Sequence, residues 1–204
     1  MEKRKIITQM MNDEKRKIMI IGAGGIGSYL VSFLNRIGLY EIHVFDDDTV
    51  EEKNLTYQNY NLMDVGTKKV EALAETFDIV PQPYFVLVKE QLANYDLVVC
   101  CADNLAVRRL LYREGFGADC QNKWLDLRSQ GRNGALISYK MDPSLMESML
   151  AGPQGSFSCQ GTDWDGSAEG IDTMHIAISG IATQWIQKWF NDNDEVIDKM
   201  VVNI

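Results

Sequence analysis

Between Ile18 and Leu30 the chain reads IMIIGAGGIGSYL, an apolar run that meets Gly22, Gly24 and Gly27 in the spacing G-x-G-x-x-G, with Gly25 as a further position lacking a side chain. Where a strand ends and a helix begins, this spacing can hold a phosphate. The first glycine permits a tight turn, the second lets the backbone approach the phosphate, and the third lets the helix pack against the strand. The unpaired N–H groups and partial positive charge of the helix N-terminus then face the anion. An acidic residue is expected about 20 positions on, at the end of the next strand, to accept from ribose hydroxyls. Asp46 stands there, behind IHVF. A carboxylate suits an unmodified ribose and repels a 2′-phosphate. NAD, FAD and ATP all satisfy these residues, and so does a tight strand–helix turn with no ligand.

Three later stretches separate these options: FDDDTVEEKNLTYQ from Phe45, DVGTKKVEAL from Asp64 and CADNLAVRRLL from Cys101. Together with GAGGIGS they resemble the ThiF/MoeB family, whose fold is shared with the ubiquitin-activating enzymes. That family carries a G-x-G-G-x-G turn, D-x-D, N-L-x-R-Q, a Gly-x-x-Lys helix and an Asp-Asn pair at a strand end. The resemblance is good over residues 17 to 140 and looser in the helix near 176–189. It implies an ATP site in which Gly22, Gly24, Gly25 and Gly27 line the phosphates and adenosine, and Asp46 holds the ribose. Asp48 and Asn54 would sit beside the phosphate pocket, and Lys69 would reach the phosphates as a point charge. Asp103 would help hold Mg²⁺, a hard cation suited to carboxylate and phosphate oxygens, with Asn104 following at the nucleotide edge. Without the other motifs, Lys69 beside Lys68 reads as a solvated helix face. Asp103 and Asn104 would also suit the cap of the helix that follows.

The chemistry implied by the resemblance is that of an ATP-dependent adenylyltransferase. The C-terminal carboxylate of a small ubiquitin-like or sulfur-carrier protein ending in Gly attacks the α-phosphorus of ATP, pyrophosphate leaves, and an acyl-adenylate forms. Some activities of this kind pass the acyl group to a cysteine. Cys159, in GSFSCQGT, is the candidate for an exposed catalytic thiol, while Cys100 and Cys101 end an apolar strand and Cys120 has no motif around it. The resemblance also implies a homodimer. Two alternatives stay open: a ThiF-like protein that binds nucleotide or partner with weakened catalysis, and an NAD-dependent oxidoreductase. Lys69 and Asp103 weigh against the last, because hydride transfer needs neither.

The pattern departs from the family in three places. Tyr57 stands where N-L-x-R-Q has its arginine, and a phenol brings a hydrogen bond but no charge. Arg128 or Arg132, behind the stretch KWLDL, is a candidate to compensate. The C-x-x-C pairs that hold zinc in many members are absent. An arginine reaching the neighbouring subunit's site could be Arg4 or Arg16.

These residues need elements to position them. Lys17–Ile21 reads as a buried strand. Ile26, Leu30, Phe33, Leu34 and Ile37 have helical spacing, and Glu41–Phe45 is rich in strand formers. A helix is expected from near Asp64, a strand over Tyr84–Val88, a strand in YDLVVCCAD and a helix in NLAVRRLLYREGF. Later strands are expected over Trp124–Leu127 and Ala135–Tyr139, and a final helix over Ile171–Phe190. The alternation predicts an α/β, Rossmann-like, mainly parallel sheet with helices on both faces. One domain over residues 1–204 is expected, with a flexible Gly/Ser-rich loop near 142–170.

Composition narrows the partners. The formal net charge is −9, which disfavours nucleic acid. The crowded Lys3, Arg4, Lys5, Lys15, Arg16 and Lys17 read as a solvated arm. No stretch has the apolar length of a membrane span, so no membrane partner is expected. The four cysteines suggest neither a disulfide framework nor a cysteine-rich zinc site, so a reducing, cytoplasmic setting is expected.

Overall fold

The computed structural model describes residues 15–115, 123–151, 159–160, 164, 167, 170–191 and 195–204. Among them the strands are β1 (Arg16–Ile21), β2 (Tyr40–Phe45), β3 (Val80–Gln82), β4 (Leu97–Cys100), β5 (Lys123–Gln130), β6 (Asn133–Ser138) and β7 (Lys199–Asn203). The helices are α1 (Gly25–Ile37), α2 (Lys69–Thr76), α3 (Leu105–Gly115), the single turn α4 (Met146–Met149) and α5 (Met174–Asn191). One sheet runs in the order β3-β2-β1-β4-β5-β6-β7. The first five strands are parallel, while β5–β6 and β6–β7 pair antiparallel.

Both faces of the central strands are buried, which is why they read as unbroken apolar runs rather than alternating ones. Ile18 and Ile20 of β1, Leu97 and Val99 of β4, and Leu125 and Leu127 of β5 point to one face, where α1, α2 and α5 pack. Met19, Ile21, Val98, Cys100 and Trp124 point to the other, against Val107, Leu111 and Tyr112 of α3. Burying one such side chain contributes about 1.5–3 kcal/mol, so the parallel core rests on a few residues per strand. α1 ends where its stripe ends, at Gly38, which is left-handed (φ 74°) and donates its N–H to Leu34 O.

The chain leaves β1 toward β2 and returns through β4, so strand order reverses between β1 and β4. In open α/β sheets the crevice at such a switch point, beyond the strand C-termini, is the usual place for a ligand.

Two expected elements differ. The helix expected from near Asp64 begins at Lys69, because Leu62–Asp64 form a separate short turn and Gly66 is left-handed (φ 89°). Tyr84–Val88 is not a strand. The third parallel strand is Val80–Gln82 instead, and the chain turns directly after it, with Tyr84 N–H donating to Gln82 O. Pro81 and Pro83 lack the N–H groups a longer ladder would need. β7 was not expected, and it extends the antiparallel edge. Much of the 142–170 loop lies outside the described residues, as do Arg4 and Cys120. Arg16 begins β1. No described helix is long and apolar enough to cross a membrane.

Candidate functional site

The turn after β1 is shaped by two close approaches. Gly22 has φ 98° and lies against the end of β4, where a Cβ would meet Ala102 N at 2.8 Å. Its N–H donates to Phe45 O, so the turn is tied to the ends of both flanking strands. At Gly27 a Cβ would stand 1.8 Å from Gly22 O. That glycine lets α1 settle on the turn, the packing part of its expected role, and it is not among the residues bordering the cleft. Gly24 is different: a side chain there would meet nothing within 4 Å, and the residue borders open cleft. Tyr60 supports the turn from outside by donating its hydroxyl to Ala23 O at 2.6 Å.

Beyond the turn lies a cleft of about 210 Å³. Gly22, Gly24, Gly25, Asp46, Asp48, Asn54, Lys69, Asp103 and Cys159 all line it. Asp46, at the end of β2, accepts from Ala23 N–H (2.7 Å) and Asp48 N–H (2.8 Å) through different oxygens. Burial raises its pKa, opposed by Lys69 and by those two backbone donors. Each carboxylate oxygen keeps a second lone pair for a further donor. Lys69 opens α2 and is only 7% exposed, and its Nζ is 2.7 Å from Asp48 Oδ2. Lys69 is therefore not part of a solvated helix face. Asn54 is buried and accepts from Glu51 N–H at 2.9 Å, which fixes the turn Glu52–Thr56 that forms one wall.

Asn104 does not line the cleft. Its side chain accepts from Ala106 N–H at 2.7 Å and so caps α3, the alternative its residue type allowed. Asp103 precedes it and faces the cleft. A second cavity of about 380 Å³ adjoins the first and shares Asp103 and Cys159 with it.

Cys159 is half-buried and borders both cavities rather than standing fully exposed. Its Sγ would lie 3.1 Å from a Cβ on Gly25, and burial pushes the thiol up to about 11. The segment is pinned by Gly131 N–H donating to Cys159 O and by Gln160, whose amide brackets Asp172 through both its N–H and its carbonyl, each at 2.9 Å. His175 packs beside the same glycine, fully buried, with its pKa lowered first by desolvation.

Neither candidate to replace the missing arginine enters the cleft. Asp126, fully buried on β5, accepts from Arg108 Nε (3.1 Å), Arg128 Nε (2.9 Å) and Tyr112 Oη (2.7 Å). Arg128 also donates to Met149 O at 2.9 Å, so it braces α4 beside the second cavity. Arg132 pairs with Asp172 at 3.5 Å. Tyr57 does line the cleft, with its ring edge-on to Trp164 and to His175. Sequence reasoning missed Glu51, Lys53 and Gln58, which complete the same wall. The 3₁₀ spacing of EEKNLTYQ was the available signal, since one turn carries all of them to the cleft.

A mainly parallel sheet with a glycine turn, and a cleft at its switch point lined by Asp46, Lys69 and Asp103, defines a doubly wound α/β protein. Comparison with known proteins narrows the class. The ThiF family model matches residues 8–201, and the chain belongs to that family. It is 31% identical over 115 residues to the adenylyltransferase and sulfurtransferase UBA4 of Yarrowia lipolytica, a match covering 52% of this chain and 29% of that protein. It is 35% identical over 106 residues to the SAMP-activating enzyme E1 of Haloferax volcanii, covering 47% of this chain and 39% of that one. These matches take in well under half the length of either relative. Among solved structures, E. coli MccB with ATP superposes with a TM-score of 0.66 at 15% identity, over 98% of this chain and 63% of that chain. PaaA does so with 0.65 at 16% identity, over 93% and 61%. At such identities these two likenesses establish the fold alone.

Proposed function

We propose that the chain is an ATP-dependent adenylyltransferase that activates the C-terminal carboxylate of a small ubiquitin-like or sulfur-carrier protein ending in Gly. The observation that carries this reading is the convergence of Asp46, Lys69 and Asp103 on one cleft at the glycine turn. The names and activities of the curated relatives support it. A redox dinucleotide would have no use for Lys69 and Asp103.

In this reading the ribose hydroxyls donate to the free lone pairs of Asp46, and Lys69 leaves or shares Asp48 to meet phosphate oxygens. The second cavity gives an acyl chain a way to Asp103 from the side opposite the glycine turn. The carboxylate is already ionised at neutral pH, so no general base is required. Its oxygen bonds to the α-phosphorus, the bond from that phosphorus to the bridging oxygen breaks, and pyrophosphate departs with the electron pair. Asp103, which faces the cleft, is a hard oxygen donor of the kind Mg²⁺ takes, and the ion would supply charge neutralisation at the phosphates. Lys69 adds fixed positive charge where negative charge develops. A homodimer and a cytoplasmic setting belong to the same reading, and light scattering at micromolar concentration tests the first.

One observation favours a second reading. Tyr57 brings no charge to the cleft, so the protein would bind nucleotide with weakened turnover. Pyrophosphate release with ATP, Mg²⁺ and a carrier ending in Gly-Gly separates the two. Turnover that Asp103→Ala abolishes supports the first reading. ATP binding without pyrophosphate release supports the second. Equal rates for wild type and Asp103→Ala would refute the site assignment, and preference for NAD over ATP would refute both readings.

A further inference from the structure

The walls of the cleft carry more negative than positive charge. Among the described residues that line it, Asp46, Asp48, Glu51 and Asp103 face only Lys53 and Lys69. A polyphosphate entering such a site needs cations that can turn toward it. Lys69 is buried and held by Asp48 at 2.7 Å. Arg128 and Arg132 are bound elsewhere, and Tyr57 is neutral. Lys53 differs from all of these. It lies on the turn Glu52–Thr56 beside Tyr57, its side chain is 67% exposed, and its Nζ sits 2.6 Å from Glu51 Oε2. Its pKa is raised, first by the hydrogen bond to Glu51 and the charge of that residue, and to a smaller degree by Asp48.

We propose that Lys53 is the mobile polyphosphate-binding cation of this cleft, with Glu51 as the counter-ion it leaves when a triphosphate binds. The proposal rests on the ATP reading and goes beyond it by naming the residue that supplies the charge missing at Tyr57. An exposed ion pair contributes little to folding, so its exchange for a phosphate partner is inexpensive. The ammonium on a flexible four-carbon stem gives Lys53 reach that the buried Lys69 lacks. Glu51 has a defined part in this exchange: it competes with the β- and γ-phosphates for the same ammonium, so its charge lowers affinity for triphosphate.

The test is calorimetric titration of the wild type and of Lys53→Met, Lys53→Arg and Glu51→Gln with MgATP and with AMP, alongside thermal melts. Lys53→Met is expected to weaken MgATP on the order of tenfold, the size of one charge-assisted hydrogen bond. AMP, which lacks the β- and γ-phosphates, should change by no more than about twofold, the usual scatter for uncoupled sites. Lys53→Arg should restore most of the MgATP affinity. Glu51→Gln should tighten MgATP more in the wild-type background than in Lys53→Met, because only there does it also free Lys53, whereas relief of direct repulsion is common to both. Equal MgATP affinity in Lys53→Met and wild type would overturn the proposal, as would parallel losses for AMP and MgATP, which mark a structural role. Both results leave the ATP reading standing. Failure of wild-type protein with a normal melt to bind MgATP would remove that reading and this inference together.

Discussion

Whether Cys159 serves as a nucleophile can be decided by its reactivity. With the thiol pushed up to about 11 from its ordinary 9.0, roughly one molecule in a thousand is thiolate at pH 8, against roughly one in ten for an unburied thiol. Alkylation at pH 8 should therefore run about a hundredfold below the free-thiol rate, and should still climb about tenfold per pH unit between 8 and 10. The perturbation is Gln160→Ala. Gln160 holds the segment through two hydrogen bonds to the backbone of Asp172, each at 2.9 Å. At about 1 kcal/mol net per bond, their loss favours the open segment by about 2 kcal/mol, roughly thirtyfold in population. The labelling rate of Cys159 should rise by about that factor. Iodoacetamide labelling, read by mass spectrometry of the Cys159 peptide with Cys159→Ser as blank, measures it. A wild-type rate equal to that of a free thiol would refute the burial, and an unchanged rate in Gln160→Ala would refute the clamp.

Further outcomes follow from the same structure. Gly27→Ala must move backbone, since its Cβ would lie 1.8 Å from Gly22 O; a loss of about 3 kcal/mol and a fall of about 10 °C in melting temperature are expected by calorimetry. Gly24→Ala meets no protein atom within 4 Å, so its melt should match wild type while its affinity for MgATP drops; unchanged affinity would mean that no ligand approaches there. Asp126→Asn leaves Arg108 and Arg128 without their buried counter-charge and should cost about 3–5 kcal/mol in chemical denaturation; an unshifted midpoint would show that the network is not coupled to folding. His175 is buried with a lowered pKa. The unfolded chain therefore takes up its proton first, and stability from this residue, full above pH 6.5, is lost as pH falls through the folded-state value. The difference in stability between wild type and His175→Gln should shrink on acidification, and a constant difference from pH 7 to 5 would contradict it.

The sheet and its switch point were legible because local signals agreed. Apolar runs bounded by Gly and Asp marked β1, β2 and β4, and the glycine spacing, Asp46 and Lys69 lay at family distances along the chain. Two kinds of fact were not legible. The path after Gln82 depended on what the edge strand could pair with. The roles within each motif depended on neighbours remote in sequence: Gly27 is fixed by Gly22 O, Asn104 by the start of α3, and Arg128 by Asp126 and Met149.

The state of Cys159 was the plainest divergence. A cysteine in a Gly/Ser-rich stretch reads as exposed, yet Cys159 is half-buried: its carbonyl accepts from Gly131 N–H and its thiol packs against Gly25. Sequence alone therefore determined which residues are available to hold a phosphate-bearing ligand, because those types and spacings follow from strand–turn–helix geometry that is local in the chain. Tertiary structure alone decided which of them face the cleft and which cations are held in ion pairs away from it, because burial and ion pairing are set by segments that meet only when the sheet has formed.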